Sequence, residues 1–425
     1  MNKGVVSVAT RIEITKQLKQ AYKTAARVEK SEILDQFCAT TGVSRVTARR
    51  YLTDPNLGAK NVTRIDRRHH RPTKYSAASR RVLVWLWRVM MYPCGKYMQQ
   101  MLPEWIPRLE AHHELVYGEH DYTSEVRAEL LHMSAATIDR YLREHRRALE
   151  LKGISATRSG ALLRTSIQIR KAGDEAETEP GFMECDTVAH CGPTLQGEFA
   201  RTLTATCVYT GWTHLEVLRN NARVHMIAAL ERLEAALPFD IAGLDCDNGS
   251  EFINDQVITW AGERKIFFTR SRPYKKNDQA VVESKNNHIV RKYGFYYRYD
   301  TAEERDVLAK LWQVVGWKMN FFTPTKKPVG WSVDGQGRRR RVYDAPKTPF
   351  QRLLEAGVLS HTQERVLRAQ YAKLNPVELT RDIVRYQGML ITKARWKTEV
   401  LTAEVADAQK SRRKRQAGGV KIHSA

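Results

Sequence analysis

Three carboxylates stand where acids are unexpected. Asp186 lies inside FMECDTVAH, a short run with apolar neighbours whose composition predicts a strand. Asp247 closes the apolar run IAGLDCD and is followed by the turn pair Asn248-Gly249. Glu283 follows Val281 and Val282 in the first turns of a predicted helix from Gln279 to about Tyr293. Acids without histidine or cysteine form a hard oxygen donor set, which suits Mg²⁺, an ion that keeps several waters and needs few carboxylates. Two such ions about 3.5 to 4 Å apart can neutralise the attacking and leaving oxygens of a phosphodiester, so phosphoryl transfer is the chemistry these residues fit. Mutual repulsion in one cleft would raise their proton affinity until metal binds. Each acid alone also has an ordinary reading, as a turn residue or a helix-surface glutamate. Asp245 and Glu184 share strand faces with Asp247 and Asp186 and compete with them, whereas Asp278 reads as an N-cap.

The elements around these acids read as one layered domain. FMECDTVAH, FARTLTATCVYT and THLEVLRN are separated by turn residues and predict a three-stranded antiparallel meander. Residues 224–237 carry apolar positions at helical spacing and stop at Pro238. IAGLDCD and IFFTRS read as buried strands with a helix over 254–265 between them, and helices follow from Gln279 and from Thr301 to Phe321. Strands and helices in this order predict an α/β domain over residues 181–325, a size that one core supports.

Ahead of it, two segments repeat. Val43 to Leu52 reads VSRVTARRYL and Met133 to Leu142 reads MSAATIDRYL, with Ser, Thr, Arg, Tyr and Leu at equivalent places. In the first, Ser44 caps a short helix after the break at Gly42, which is helix-turn-helix spacing. That helix presents Arg45, Thr47, Arg49 and Arg50, and its counterpart presents Thr137 and Arg140. Two plain helical hairpins would give the same pattern. The expected organisation is a helix-turn-helix module over 1–60, a linker with a second such module over 61–170, the α/β core over 181–325, a basic and mainly helical region over 326–404, and a basic disordered tail over 405–425. GQGRRRRVYD reads equally as a β-hairpin or a disordered loop.

The 425-residue chain has 70 Lys plus Arg against 47 Asp plus Glu, a net charge of +23. Residues 1–180 hold 31 basic and 20 acidic side chains, 181–325 hold 17 and 18, and 326–425 hold 22 and 9. Basic flanks around a neutral middle indicate polyanion-binding arms and argue against a passive nucleic-acid binder, which is usually basic throughout. No segment has the uninterrupted apolar length of a membrane span, and the N-terminal sequence lacks a secretory signal pattern, so a cytoplasmic, nucleoid-associated protein is expected. Six cysteines without CxxC pairs suggest free thiols rather than a disulfide framework or a zinc site.

The pattern of acids resembles the DDE superfamily of integrases and transposases, in which Asp falls in the first strand, Asp after the fourth, and Glu on a later helix. Here 35 residues separate Asp247 from Glu283, as in the integrase branch. ECDTVAH, DNGSEF, RSRPYKKNDQAVVESKN and NFFTPTKKP agree with it, and the combination looks most like bacterial insertion-sequence transposases over 181 to about 330 plus the paired N-terminal motifs. Val281 and Ser284 depart from the His and Gln that relatives often carry, which puts an auxiliary histidine role in doubt but leaves the triad intact. The resemblance implies a ribonuclease H-like fold, a mixed five-stranded sheet with helices, and Asp186, Asp247 and Glu283 as catalytic and metal ligands for two Mg²⁺, with Mn²⁺ able to substitute. It also implies double-stranded DNA as partner, both terminal inverted repeats and target, and a homo-oligomer on DNA that the C-terminal helices would join. Arg272, Lys275, Lys276, Asn287 and Arg291 flank Glu283 and are expected along the DNA; Asn287, four residues on, should share its helix face. A transcription regulator or transposition repressor with an inactive core, or a nuclease that only hydrolyses, are the alternatives.

Overall fold

The computed structural model describes residues 7–55, 74–147, 168–170, 179–247, 249, 251–271, 282, 285–335 and 337–418. They fall into two compact units, Met1–Lys74 and Tyr75–Ala425.

The first unit is three helices, α1 (Val8–Thr24), α2 (Arg27–Thr41) and α3 (Arg45–Thr53), around Tyr22, Leu34, Phe37, Ala48 and Leu52. Gly42 ends α2 in the left-handed region, at φ 71°, a conformation that favours glycine. Ser44 then caps α3 by accepting the Thr47 N–H.

The second unit opens with α4 (Ala77–Val89), α5 (Gly95–Ala111), α6 (Ser124–His132) and α7 (Ala135–Arg147). The sequence repeat is also structural. Ser134 accepts the Thr137 N–H as Ser44 accepts that of Thr47, and Ile138 and Leu142 are as fully buried as Ala48 and Leu52. This second helical group is less a linker than part of the larger core. Trp105 packs edge-on to Phe322, and Arg108 lies over the Tyr371 ring while donating to the Tyr371 and Leu374 carbonyls.

The central sheet runs β1 (Gln168–Arg170), β6 (Phe267–Ser271), β5 (Gly243–Cys246), β2 (Phe182–Ala189), β3 (Arg201–Cys207), β4 (Thr213–Leu218). The expected five strands form, with β2, β3 and β4 as an antiparallel meander and β5 and β6 parallel to β2. A short sixth strand, β1, extends the edge parallel to β6 from outside the expected domain limits. Helices α8 (Arg223–Ala236) and α9 (Asp255–Glu263) make the parallel crossovers that one sheet requires. This mixed sheet with its helices is the ribonuclease H-like architecture. After β6 come α10, a π-helical stretch Asn286–Arg291 ending in the turn Lys292–Gly294, and α11 (Ala302–Phe322), opened by a Thr301/Glu304 capping box.

The remaining chain is a hairpin of β7 (Pro328–Val333) and β8 (Arg339–Tyr343), then α12 (Pro349–Ala356), α13 (His361–Lys373) and α14 (Pro376–Gly418). GQGRRRRVYD thus takes the hairpin alternative. The C-terminal helices pack in part on their own chain: Ile383, Leu390 and Ala394 are fully buried and α14 lies along α11, whereas Val366, Val384, Trp396 and Val400 stay exposed. One expectation is corrected. The tail expected to be disordered from 405 is helical through Gly418, because its Ala, Gln, Lys and Arg residues all favour helix. Among the described residues no helix is long and apolar enough to cross a membrane.

Candidate active site

Strand register brings two of the three acids together. β2 and β5 run parallel with Cys185 opposite Cys246. Asp186 follows Cys185 within β2, and Asp247 follows Cys246 just past the end of β5, so both acids come next after residues paired in the sheet. The competing acids are occupied within the fold. Asp245 is buried and accepts the Thr269 hydroxyl at 2.7 Å. Glu184, opposite Asp245, accepts the Val282 N–H at 3.0 Å and so holds the residue just before Glu283 against the sheet. Glu283 itself, with Arg272, Lys275, Lys276 and Asp278, lies outside the described residues.

In the helix after Glu283, Asn287 is exposed, and its neighbour Asn286 is buried and donates from Nδ2 to Asp186 Oδ2 at 2.5 Å. Residues Asn286–Arg291 have π-helical pitch. Burial lowers Lys285 to about 8. Arg291 donates to the Ala189 carbonyl at the end of β2 and lies over Tyr296, and burial lowers its pKa.

Residues that sequence reasoning missed complete the other side. Glu251, four residues past Asp247, accepts the Thr187 hydroxyl at 2.8 Å and an Arg201 N–H at 3.0 Å, so β2, β3 and the DNGSEF turn are tied at one carboxylate. The Gly249 N–H donates to Asp247 Oδ1 at 2.9 Å, and a Cβ on Gly249 would lie 2.8 Å from that oxygen and 2.7 Å from Glu251 Oε2, so a larger residue there would displace both carboxylates. The acid in DNGSEF was visible in the sequence; its partner Arg201 lies 50 positions away and carried no local signal.

Burial first, then the Glu251 charge, pushes Asp247 up to about 6 from 3.8, against the opposing Gly249 N–H and Arg201. The folded protein therefore binds this proton more tightly than the unfolded chain, and stability from Asp247 is greatest at low pH and falls as pH rises through about 4 to 6. The difference corresponds to about 3 kcal/mol at neutral pH. Asp247→Asn removes the titration. It is expected to be more stable than the parent by up to about 3 kcal/mol above pH 7 without divalent metal, with the gap closing near pH 4 in paired unfolding curves.

The surroundings fit a hydrated divalent cation. Thr204 lies opposite Asp186 in the register, and its hydroxyl is buried without a hydrogen-bond partner, as is Asn286 Oδ1. Orphaned oxygens beside a carboxylate suit the water shell that Mg²⁺ retains. Among the described residues no group of three His, Cys, Asp or Glu could hold a metal, so a complete site needs a third acid from elsewhere.

The remaining candidate residues lie away from these acids in sequence. Arg49 and Arg50 are exposed on α3, Arg50 over the Tyr51 ring, whereas Arg45 turns back to Asp35 and Ser31. Thr47 meets the Ser44 hydroxyl, Thr137 that of Ser134, and Arg140 is exposed beside Tyr141.

A first acid within the leading strand of a mixed sheet and a second just past the neighbouring parallel strand define an integrase-type core. The integrase core domain family matches residues 176–276, which include Asp186 and Asp247 and stop before Glu283. The Sinorhizobium fredii protein "Uncharacterized protein y4rM" is 36% identical over 328 residues, covering 76% of this chain and 89% of that protein. The catalytic core domain of BIV integrase is similar over 41% of this chain and 95% of its own, at 16% identity and a TM-score of 0.29. The chain carries an integrase core domain of the DDE type over residues 176–276 and belongs to one family with the rhizobial protein.

Proposed function

We propose that the protein is the DNA transposase of an insertion sequence, cutting at the element's terminal inverted repeats and joining the freed ends to target DNA. The observation that supports this reading is the parallel register of Cys185 with Cys246, the residues just before Asp186 and Asp247, next to Val282 and Asn286, which Glu184 and Asp186 bind. Asp186, Asp247 and Glu283 hold divalent metal, two Mg²⁺ with Mn²⁺ as substitute, which supplies charge neutralisation at the phosphodiester oxygens. Water attacks phosphorus at the element end, the P–O3′ bond breaks, and the departing oxygen takes up a proton as a 3′-hydroxyl. That hydroxyl then attacks a target phosphodiester in line, loses its proton, and displaces a second 3′-oxygen.

Recognition of the ends falls to the two repeated helices. Arg45, Thr47, Arg49 and Arg50 on α3, with Thr137 and Arg140 on α7, supply base and phosphate contacts of helix-turn-helix type. Arg272, Lys275, Lys276, Asn287 and Arg291 line the path of DNA past the acids. Joining two ends requires two active sites held together, so the working form is a homo-oligomer on DNA.

The test is an incubation of labelled element ends with Mg²⁺ and a target plasmid. Joined product supports the transposase. Hydrolysis alone would make the protein a nuclease, and binding without cleavage would make it a regulator.

A further inference from the structure

The β7–β8 hairpin has no place in the catalytic arrangement and buries none of its residues. Every residue of both strands is exposed, including Trp331 at 57%. A lone two-stranded ribbon is marginally stable in water, so an exposed one needs support. Here the support is at its ends. At the root, the Lys327 N–H donates to Asp344 Oδ1 at 2.7 Å, the Asp344 N–H returns to the Lys327 carbonyl, and the nearly buried Arg352 guanidinium binds Asp344 Oδ2 at 2.5 Å. At the tip, Asp334 accepts the Arg338 N–H at 3.0 Å and pairs with the Arg338 and Arg340 guanidinium groups. A ribbon pinned at both ends and bare between them is built to present its side chains.

Those side chains are segregated. The register sets Trp331 opposite Arg341 and Val333 opposite Arg339, so Trp331, Arg339 and Arg341 share one face. Both guanidinium groups lie over the indole, at 5.5 and 5.3 Å. The other face carries Gly330 and Ser332 opposite Val342 and Arg340, the last paired with Asp334. Four arginines against one aspartate between 328 and 343 make the ribbon strongly cationic. An arginine stacked on an indole keeps its outward N–H groups free for phosphate oxygens while the ring limits side-chain motion. B-DNA grooves admit a two-stranded ribbon.

We propose that this hairpin is a DNA-contacting arm that grips duplex DNA across the phosphate backbone through Arg339 and Arg341, with Trp331 as the platform that holds them. The proposal rests on the reading of the protein as one that acts on DNA and adds a binding surface separate from the repeated helices and the acids. Double-stranded DNA is favoured over a protein partner by the charge, since the exposed Val333 and Tyr343 share the Trp331 face with Arg339 and Arg341.

The test is equilibrium binding of the full-length protein to a labelled mixed-sequence duplex over a series of salt concentrations. Each phosphate contact contributes about 0.9 to the slope of log affinity against log salt, so Arg339→Gln with Arg341→Gln should flatten the slope by roughly 2. Affinity at about 0.1 M salt should fall roughly tenfold or more. Arg339→Lys with Arg341→Lys keeps the charges and should restore the slope. The substituted side chains are exposed, so unchanged thermal unfolding is expected for both variants. A parent that binds, with a glutamine variant of the same slope and affinity, overturns the proposal. So does a glutamine variant that changes only the oligomeric state in sedimentation, since the ribbon would then meet protein. A parent that binds no duplex at any salt concentration removes the DNA reading itself, a distinct failure.

Discussion

Asp247→Asn should lower DNA cleavage and joining by at least about a thousandfold while leaving end binding unchanged. Metal-assisted charge neutralisation at a phosphodiester is worth several kcal/mol, and each 1.36 kcal/mol is a factor of ten in rate. Asn keeps the size of the side chain and an oxygen that can accept the Gly249 N–H, so the DNGSEF turn is preserved and the change is confined to charge. The pairing of effects is itself diagnostic. The same substitution that removes activity is expected to stabilise the metal-free protein at neutral pH, because the buried carboxylate held up to about 6 is costly to ionise there. A variant that loses activity through misfolding would be less stable and would bind DNA poorly. Single-turnover cleavage, filter binding and thermal unfolding on one preparation separate the two cases.

Arg298→Met should be the most destabilising single change near the site, by about 3 kcal/mol or more. The Arg298 guanidinium is nearly buried and donates to the carbonyls of Cys191, Thr194, Gln196 and Glu198 while pairing with Asp300 at 2.7 Å. It gathers the loop between β2 and β3, and Gly192 and Gly197 let the chain close on it: a Cβ at either would come within 3.1 Å of Arg298 atoms. Methionine fills much of the same space and leaves those carbonyls and the carboxylate without the partner they face. Lys397 still pairs with Asp300, which sets a limit on the loss. Since this loop leads from the strand of Asp186 to the strand of Arg201, cleavage should fall along with the unfolding temperature. Differential scanning calorimetry of parent and variant measures the effect, and an unchanged unfolding temperature would mean that the loop is held by other contacts.

The sequence was most legible where local chemistry and tertiary demand agree. The acid inside an apolar strand and the serine caps of the repeated helices are each decided by neighbours within a few residues, and each lies where expected. Three features were hidden for identifiable reasons. Asn286 meets Asp186, a contact between residues 100 apart that no local pattern signals. Arg201 joined Glu251 through strand pairing, a contact between residues 50 apart. The C-terminal region was read correctly as mainly helical, but its packing along α11 carried no local signal. Its leucines and valines fix an apolar face, and only the fold decides that Leu390 and Ala394 turn inward against the same chain. In the tail, charge suggested disorder, while helix-favouring residues and the pair of Asp407 with Lys410 at 3.3 Å support one continuous helix.

Glu283 is the acid on which the account depends and the one placed by spacing alone. Strand joining by Glu283→Gln, measured with pre-cut labelled ends, Mg²⁺ and a target plasmid beside the parent and Glu251→Gln, tests it most directly. The account predicts joining reduced by at least about a thousandfold in Glu283→Gln, as for Asp247→Asn, with the smaller loss in Glu251→Gln, whose carboxylate braces the turn. Joining at the parental rate by Glu283→Gln, with loss in Glu251→Gln, would contradict it and move the third acid to the DNGSEF turn.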